Sequence, residues 1–216
     1  MHRSQGGDHL DKLEEFIDRG LITGVVGLIK TGKEASVYCC RAGNALEAEL
    51  VAAKVYREQQ YRFKNDAVYQ ESRARELGIR GSALRAFNKR HHSSIGREVQ
   101  GHTWRGREYE TLALLYNAGA DVPRPIAVSD DAIVLEYLGD EDEAAQQLNR
   151  VRLLPHEAAP LFERLMGNIE LMLACDRVHG DLSPHNVLYW QGDIRVIDFP
   201  QAVDPRFNSH AHELLA

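Results

Sequence analysis

The chain has 216 residues, which is enough for one hydrophobic core or two small lobes. Its 44% hydrophobic and 27% charged residues are typical of a globular protein, and no apolar run reaches the ~20 residues that a membrane span needs. The polar start, Met1 to Asp11, lacks the apolar core of a signal peptide, and three cysteines, two of them adjacent, do not predict a disulfide framework. We therefore expect a cytoplasmic protein without membrane attachment.

Positive charge is concentrated in one part of the chain, although the net charge is −6. From Tyr56 to Arg107 there are twelve Lys or Arg against five Asp or Glu, a balance of +7, so the rest of the chain carries −13. Such a concentration is typical of a surface that binds an anionic partner such as RNA. A solvated, flexible insertion is the simpler interpretation, and both stay open.

The first sixty residues predict a helix followed by strands. Apolar residues at helical spacing run from Asp8 to Arg19, and Gly20 should end this helix. Three strands are expected from their apolar and alternating patterns: Val25–Lys30, Ala35–Arg41 and Leu50–Tyr56.

A less regular region follows. The sequence predicts a polar helix over Asn65–Leu77 and a glycine-rich, basic loop over Gly78–Gly96. A longer helix is expected over Glu98–Ala118, with Gly119 at its C-terminal cap. A second hairpin should follow, formed by Ile126–Val128 and Ala132–Leu138.

An acidic break at residues 139–143 is our predicted domain boundary. After it, apolar spacing predicts a strong helix over His156–Cys175. Pro155 and Pro160 should precede this helix or lie in its first turn, because proline lacks the N–H that later positions donate. Its inward face should carry Phe162, Leu165, Ile169 and Met172. The last expected hairpin pairs Val187–Trp190 with Ile194–Ile197.

The most informative motif runs from His179 to Asn186, His-Gly-Asp-Leu-Ser-Pro-His-Asn, and is followed by Asp198 in Ile-Asp-Phe. An Asp, an Asn five residues later and a second Asp after a strand are typical of kinase-like phosphotransferases. Asp181 would orient and deprotonate a hydroxyl, while Asn186 and Asp198 would offer hard oxygens to Mg²⁺ or Mn²⁺ beside the ATP phosphates. His179 should brace the loop backbone. A chance His-x-Asp in a turn is the alternative, and the flanking helix and hairpin disfavour it.

Lys54 lies inside an apolar strand, where a lysine needs a partner to offset the loss of water. In a kinase its partners are the ATP phosphates and a carboxylate on the next long helix. Glu108 is the expected carboxylate, since apolar residues four positions before and after it share its helix face, and Glu110 is the alternative. For Lys54 alone, an edge-strand lysine pointing to water would be the simpler explanation.

The segment Thr31 to Tyr38, Thr-Gly-Lys-Glu-Ala-Ser-Val-Tyr, occupies the position of the glycine-rich loop of a kinase. One glycine matches G-x-G-x-x-G poorly, and the Gly-Lys pair lacks the other residues of a P-loop. Its backbone N–H groups and a lysine ammonium could still cover a triphosphate. The expected nucleotide-binding residues here are Lys33, Glu34, Ala35, Ser36 and Val37.

Four blocks resemble, in the same order, those of the RIO family of atypical serine protein kinases, and they run from about Leu21 to the end of the chain. Gly180, where protein kinases have Arg, and Pro200, where they have Gly, are similar to the prokaryotic members. About 20 residues precede the first strand, so we expect no N-terminal winged helix, a module of ~80 residues. The blocks are Lys-Thr-Gly-Lys-Glu-Ala-Ser-Val-Tyr from Lys30, Ala-Lys-Val-Tyr-Arg from Ala53, Val-His-Gly-Asp-Leu-Ser-Pro-His-Asn-Val-Leu-Tyr from Val178 and Ile-Asp-Phe-Pro-Gln-Ala-Val from Ile197.

The resemblance implies an α+β, trimmed two-lobe protein-kinase-like fold. Its N-lobe would be an antiparallel sheet with one long helix, and its C-lobe would be small, helical and without an activation loop. Residues 1–20 would be a helical extension, 21–138 the N-lobe with a basic insertion at about 57–97, and 139–216 a short C-lobe. Family members continue with more helix, so we expect the chain to be truncated there. ATP would bind at a hinge from Glu136 to Leu138, where backbone groups read the adenine.

The resemblance also implies ATP- and Mg²⁺-dependent phosphotransfer to a protein serine, including serines of the chain itself. It further implies ATPase action through phosphate transfer to the metal-binding Asp198. Because family members are commonly tied to ribosomal-subunit maturation, rRNA or a ribosomal subunit is an expected partner of the basic segment 57–107.

Two other interpretations fit parts of the sequence. A small-molecule phosphotransferase of the aminoglycoside or choline type shares His-Gly-Asp-x-x-x-x-Asn and Ile-Asp-Phe, but it needs a large substrate domain and only 77 residues follow Gly139. The block Lys33–Ala35 is also foreign to that class. An ATP-gated assembly factor that binds RNA or the ribosome is the other alternative, and salt-dependent RNA binding with little phosphotransfer would favour it.

Overall fold

The protein is described from a computed structural model that covers residues 11–57, 94–208 and 210–215, with the backbone alone for 94–105. The chain divides into two compact units. The first comprises Met1–Tyr61 and Pro123–Ala144, and the second comprises Arg62–Val122 and Ala145–Ala216. The predicted helix Asn65–Leu77 and most of the glycine-rich loop after it lie outside the described residues.

The first unit is built on a five-stranded antiparallel sheet in the order β1-β2-β3-β5-β4. A short helix, α1 (Glu14–Asp18), precedes it. The strands are β1 (Ile22–Thr31), β2 (Ala35–Ala42), β3 (Leu50–Tyr56), β4 (Pro125–Val128) and β5 (Ala132–Glu136). The predicted strands are thus all present, although β1 begins three residues earlier than expected and β5 ends two residues earlier.

The core of this unit lies between α1 and the sheet. Leu13 and Phe16 are fully buried, and Gly20, at a φ of +67°, ends the helical turn as predicted. Of the predicted helix Asp8–Arg19, the described residues contain α1, and positions 8–10 lie outside them. Packing of Leu13 and Phe16 holds so short a segment. The buried cluster comprises Leu13, Phe16, Ile22, Cys40, Val51, Ala53, Val55, Ala127, Ala132 and Val134.

In its described part, the second unit combines two long helices with a small sheet. The helices are α2 (Ser94–Asn117), α3 (Pro155–Ala174) and the short α4 (Ala211–Leu215). The sheet has the order β6-β7-β8, with β6 (Gln146–Gln147), β7 (Val187–Trp190) and β8 (Asp193–Val196). α2 groups with this unit, whereas the sequence-based division placed it in the N-lobe; that division stays a prediction.

Helix α3 differs from its prediction in two respects. Pro155 is its first residue, as expected, but Pro160 lies inside the helix, so that prediction was wrong. Pro160 is exposed, and the carbonyl four residues before it belongs to the exposed His156, which water can satisfy. The Glu157 carboxylate accepts a hydrogen bond from the Leu154 N–H at 2.8 Å and so caps the helix start.

One residue of the apolar face predicted for α3, Phe162, is not buried, whereas Met172 is buried and Leu165 and Ile169 are half-buried. Phe162 is 64% exposed, whereas Leu161, Asn168 and Met172 are buried. Apolar residues occur at helical spacing on both faces, so periodicity could not decide which face is buried.

In the described part of the chain no helix is long and apolar enough to cross a bilayer.

Candidate active site

The loop from Val178 to Asn186 is fixed at its start by a pair of backbone hydrogen bonds. The N–H and carbonyl groups of Val178 pair with those of Val203, both at 2.9 Å. Gly180 follows with a φ of +79°, a conformation in which a side chain is strained. This backbone requirement gives a local reason for glycine where protein kinases have arginine.

His179 braces this loop, as the sequence predicted. It is buried, and its ring lies 4.6 Å from that of Phe199. The N–H of Asp181 can only donate, so Nδ1 of His179 accepts it at 3.3 Å and Nε2 carries the proton that goes to the Ile197 carbonyl at 3.0 Å. Burial lowers the pKa of His179, which agrees with a neutral ring in this role.

Asn186 is brought against Asp181. Its Nδ2 donates to the Asp181 carbonyl at 2.8 Å and to Oδ2 of the Asp181 carboxylate at 3.2 Å. Asn186 is buried, whereas Asp181 is exposed. With its amide nitrogen directed at Asp181, Asn186 retains Oδ1 as the atom that can bind a cation.

Asp198 lies next to Asn186 because the β7–β8 hairpin ends there. The N–H of Ile197 donates to the Asn186 carbonyl at 2.9 Å, one residue before Asp198. Asp198 has a φ of +74°, which is uncommon for a residue with a side chain and often marks functional sites. The next N–H, that of Phe199, donates to Oε1 of Glu108 at 3.3 Å.

This donor set suits magnesium better than a softer metal. Asn186 and Asp198 supply one amide oxygen and one carboxylate, the hard ligands that Mg²⁺ takes together with phosphate oxygens and water. Among the described residues there is no group of three or more His, Cys, Asp or Glu that could form an all-protein metal cage. The ligand set is therefore compatible with a magnesium ion that arrives with a nucleotide.

The carboxylate expected for Lys54 is on the buried face of α2. Glu108 is 2% exposed, while the alternative, Glu110, is exposed. Lys54 lies in β3 between Val37 and Ile133 on the neighbouring strands, and its ammonium is 5.4 Å from the centre of the Tyr56 ring. Lys54 belongs to the first unit and Glu108 to the second, so their pairing stays a prediction.

The predicted phosphate loop is a tight connection between β1 and β2. Gly32 N–H donates to the Ala35 carbonyl at 2.8 Å, and Arg57 N–H donates to the Glu34 carbonyl at 2.9 Å. A Cβ on Gly32 would come within 3.1 Å of the Ala35 carbonyl oxygen, so the turn favours glycine. Of the residues expected to bind nucleotide, Lys33 is exposed, Glu34 and Val37 are half-buried, and Ala35 and Ser36 are buried.

The predicted hinge begins where β5 ends. Glu136 exchanges hydrogen bonds with Arg124: its N–H donates to the Arg124 carbonyl at 2.8 Å, and its carboxylate accepts the Arg124 N–H at 3.0 Å. Leu138 follows outside the strand and is half-buried. Gly139 has a φ of +143°, and a Cβ there would approach the Glu143 carbonyl oxygen to 2.4 Å, so only glycine fits. The roles of Glu136 and Leu138 in adenine binding stay predictions.

Sequence reasoning missed a polar cluster around Asp121, in the loop after α2. Asp121, Arg164 and Asn168 are joined by hydrogen bonds of 2.6 to 2.9 Å. One signal was visible: Asn168 is a polar residue in line with Leu161 and Met172 on one face of an apolar helix. Its partners could not be inferred, since they are separated from it by up to 47 positions.

The fold is that of kinase-like phosphotransferases. Two crystal structures of the Rio2 kinase from Chaetomium thermophilum match 98% of this chain with a TM-score of 0.68 and 22% identity. One of them is described as an ADP/Mg²⁺-phosphoaspartate complex. The matches cover 57% and 59% of those chains. The α+β, trimmed kinase-like fold predicted from the sequence is thereby confirmed.

The particular family follows from the sequence. The RIO domain pattern (RIO1) matches residues 36–216. The human serine/threonine-protein kinase RIO1 is 31% identical over 205 residues, and the RIO-type serine/threonine-protein kinase Rio1 of Haloferax volcanii is 30% identical over 192 residues. These matches cover 94% and 88% of this chain, and the chain belongs to the RIO family. It spans 33% of the human protein and 59% of the archaeal one.

Proposed function

We propose that this chain is the catalytic part of an ATP- and Mg²⁺-dependent serine kinase that can also act as an ATPase in the cytoplasm. Family membership supports the class, and one observation carries the mechanism. Asn186 holds Asp181 through its amide nitrogen, and its backbone carbonyl accepts the N–H of Ile197, the residue before Asp198. Three groups needed for phosphoryl transfer are therefore gathered by one loop and one hairpin.

Asp181 would act on the nucleophile. Its exposed carboxylate is oriented by Asn186, so it can accept a hydrogen bond from a serine hydroxyl and take its proton as the phosphoryl group is transferred. Asn186 Oδ1 and the Asp198 carboxylate would hold the metal. A bound magnesium ion supplies positive charge that neutralises the ATP phosphates during transfer.

The nucleotide would be bound mainly by the first unit. Lys54 would contact the phosphates and pair with Glu108, and the turn from Lys33 to Val37 would cover them. The backbone of Glu136 and Leu138 would contact the adenine. A lysine in an apolar strand has a clear use in this arrangement, because phosphate and carboxylate together offset the cost of burying its charge.

ATPase action has a defined chemical route. An oxygen of the Asp198 carboxylate would attack the γ-phosphorus, ADP would leave, and water would then hydrolyse the acyl phosphate to restore the carboxylate. The Rio2 kinase structure from Chaetomium thermophilum is described as containing a phosphoaspartate, which supports this route in a protein of the same fold. The strained backbone of Asp198 is compatible with a residue placed for reaction rather than for stability.

Incubation with γ-labelled ATP and Mg²⁺ tests the proposal. Label on the protein that resists hydroxylamine indicates phosphoserine, label that hydroxylamine releases indicates an acyl phosphate, and free labelled phosphate indicates ATPase action. We expect at least one of these products, and all should disappear when EDTA replaces Mg²⁺. Formation of none of them at any Mg²⁺ concentration would reject the proposal.

RNA or ribosomal-subunit binding is a second proposed function, and it rests on a different observation. The +7 charge balance from Tyr56 to Arg107 in a chain of net charge −6 favours an anionic partner. The described residues contain only part of this segment. The proposal therefore depends on its composition and not on its conformation.

A further inference from the structure

Asp121 uses all of its polar groups to join three elements of the second unit. Its N–H donates to Asn168 Oδ1 at 2.6 Å, and its carbonyl accepts the Val196 N–H at 2.8 Å. Its two carboxylate oxygens accept Arg164 Nη2 and Nε, both at 2.7 Å, in a bidentate pair. Oδ2 also accepts Asn168 Nδ2 at 2.8 Å. The loop after α2 is thereby fastened to α3 and to β8.

The cluster includes a position on the buried face of α3, where an apolar side chain would be the usual choice. Asn168 is 3% exposed and lies on the buried face of α3 with Leu161 and Met172. A buried amide destabilises a fold unless it is bonded, and here both ends of the Asn168 amide are satisfied. The hydrogen bonds from Arg164 lower the pKa of Asp121, so the pair stays charged over the physiological range.

Arg164 extends the cluster to the other end of β8. Its Nη1 donates to Asp193 Oδ1 at 2.5 Å, and Asp193 is the first residue of that strand. Val196, the last residue of the strand, is bonded to the Asp121 carbonyl. Both ends of the strand that leads to Asp198 are therefore held by this cluster, the Asp193 end by the Arg164 side chain and the Val196 end by the Asp121 backbone carbonyl.

The strained turn at Asp198 is held on both sides from the α2 segment. Val196 N–H, two residues before Asp198, goes to the Asp121 carbonyl, and Phe199 N–H, one residue after it, goes to the Glu108 carboxylate. Both acceptors belong to α2 or to the loop that follows it. An unfavourable backbone conformation persists only where its surroundings determine it, and these two bonds provide that restraint.

We propose that Asp121, Asn168 and Arg164 are positioning residues for Asp198: they fix the metal-binding carboxylate in place through β8 without touching the metal or the nucleotide. The inference rests on the proposed function of Asp198 as a magnesium ligand. Residues that orient a metal ligand typically change metal affinity about 10- to 100-fold when they are replaced.

Three variants test the cluster. Asp121→Asn keeps the size of the side chain but removes the charge-assisted bonds, and Asn168→Leu removes both bonds of the amide to Asp121. Arg164→Lys keeps the charge but loses the bidentate geometry, and it serves if Asn168→Leu does not fold. Met172→Ala is the control, because it creates a cavity in the same buried face without changing the cluster.

Two measurements separate positioning from mere stabilisation. The first is the dissociation constant of fluorescent ADP in Mg²⁺ and in EDTA, and the second is hydrogen exchange of the backbone amides of Val196 and Phe199. For the cluster variants we expect the Mg²⁺-dependent gain in ADP affinity to fall about tenfold, with the affinity in EDTA changed less than twofold. Exchange at these amides should be faster than in the wild type. Met172→Ala should lower the melting temperature but leave the Mg²⁺-dependent gain in ADP affinity unchanged.

The proposal and its premise fail in different ways. If the cluster variants lose melting temperature yet retain both the Mg²⁺-dependent gain and the slow exchange, the cluster is structural only and the proposal is wrong. If the wild-type protein itself shows no Mg²⁺-dependent gain in ADP affinity, the assigned magnesium role of Asp198 fails. In that case the hydrogen exchange still decides whether the cluster holds the turn at Asp198. If exchange at Val196 and Phe199 is the same in the cluster variants as in the wild type, the cluster does not hold the turn either.

Discussion

His179 shows how one buried side chain sets the geometry of the catalytic loop. Its Nδ1 accepts the Asp181 N–H and its Nε2 donates to the Ile197 carbonyl, so it links Asp181 to the residue just before Asp198. Only the neutral ring with its proton on Nε2 can make both bonds. The structure of the loop is therefore tied to the protonation of one imidazole.

A pH dependence of stability follows from this burial. The folded pKa of His179 lies below its ordinary value of 6.5, so the unfolded chain binds more protons as the pH falls. The contribution of His179 to the free energy of unfolding should be fully present above pH 6.5. Below that pH it should decline by at most about 1.4 kcal/mol per pH unit. Denaturant unfolding between pH 7.5 and 5, roughly the range in which histidine titrates, measures it. His179→Gln should flatten the profile, whereas the same change at the exposed His156 should not.

Lys54 and Glu108 should have unequal effects on nucleotide binding. Lys54→Ala removes the charge proposed to bind the phosphates, and we expect this to weaken ATP binding about 10- to 100-fold. Glu108→Gln should give a smaller loss, about threefold to tenfold, because its proposed effect on the phosphates is indirect, through Lys54. Titration with a fluorescent ATP analogue in Mg²⁺ measures both, with Arg41→Ala on the adjacent strand as the control. Unchanged affinity in Lys54→Ala would remove Lys54 from the phosphate site.

Asp181 and Asp198 should separate binding from transfer. Asp198→Asn should abolish Mg²⁺-dependent activity while the protein remains folded, since it removes the only carboxylate proposed as a metal ligand. Asp181→Asn should leave ATP affinity within about twofold and reduce phosphoserine formation at least 100-fold. Phosphotransfer and nucleotide affinity are measured side by side, and Asp176→Asn in the same unit should alter neither. Equal losses of nucleotide affinity in both variants would contradict the division of roles.

At the scale of elements, α3 offers a direct test of which face carries stability. Phe162→Ala should cost less than about 0.5 kcal/mol because the ring is mostly exposed. Met172→Ala should cost about 2–5 kcal/mol because that side chain is buried. Chemical denaturation of the two variants compares them. A larger loss for Phe162→Ala than for Met172→Ala would contradict the burial of these two side chains in the structure.

The elements also show what local sequence can determine. β3 and β7 match their predicted bounds because apolar runs between polar turns leave few alternatives. The two-residue β6 was missed, since it has no pattern of its own and exists through pairing with β7. The position of Pro160 was wrong for a related reason: tertiary packing of the rest of α3 outweighs one unfavourable residue.

The candidate site was predictable where its residues are close in sequence. Asp181, Asn186 and Asp198 were identified because one loop and one hairpin determine their spacing. In the structure the Asn186 side chain bonds to Asp181, and the Asn186 carbonyl bonds to Ile197, the residue before Asp198. Asp121 could not be found in this way. Its partners on α3 and β8 are more than forty positions away, and an aspartate after a helix is common in any surface loop.

At the scale of the whole molecule, charge is distributed very unevenly. If the basic segment binds RNA, affinity should fall steeply with salt, by roughly one unit of logarithmic slope for each neutralised phosphate. We expect weak binding that is lost when Arg85, Lys89, Arg90 and Arg97 are replaced together by glutamine. ATP turnover without RNA should be nearly unchanged, because none of the four belongs to the proposed catalytic set. Titration of labelled RNA at two salt concentrations measures this, and salt-independent binding or none would reject the proposal.

The two thiols of β2, Cys39 and Cys40, have a low reactivity that depends on the folded state of the first unit. Cys40 is fully buried and its pKa is raised to about 12, and burial also raises the pKa of Cys39. Alkylating reagents attack the thiolate, so these cysteines stay unreactive until the sheet opens. Cys175, which is half-buried, lies in the second unit. The rate at which a thiol reagent modifies Cys39 and Cys40 therefore measures how often the first unit alone opens. The measurement needs no nucleotide or substrate.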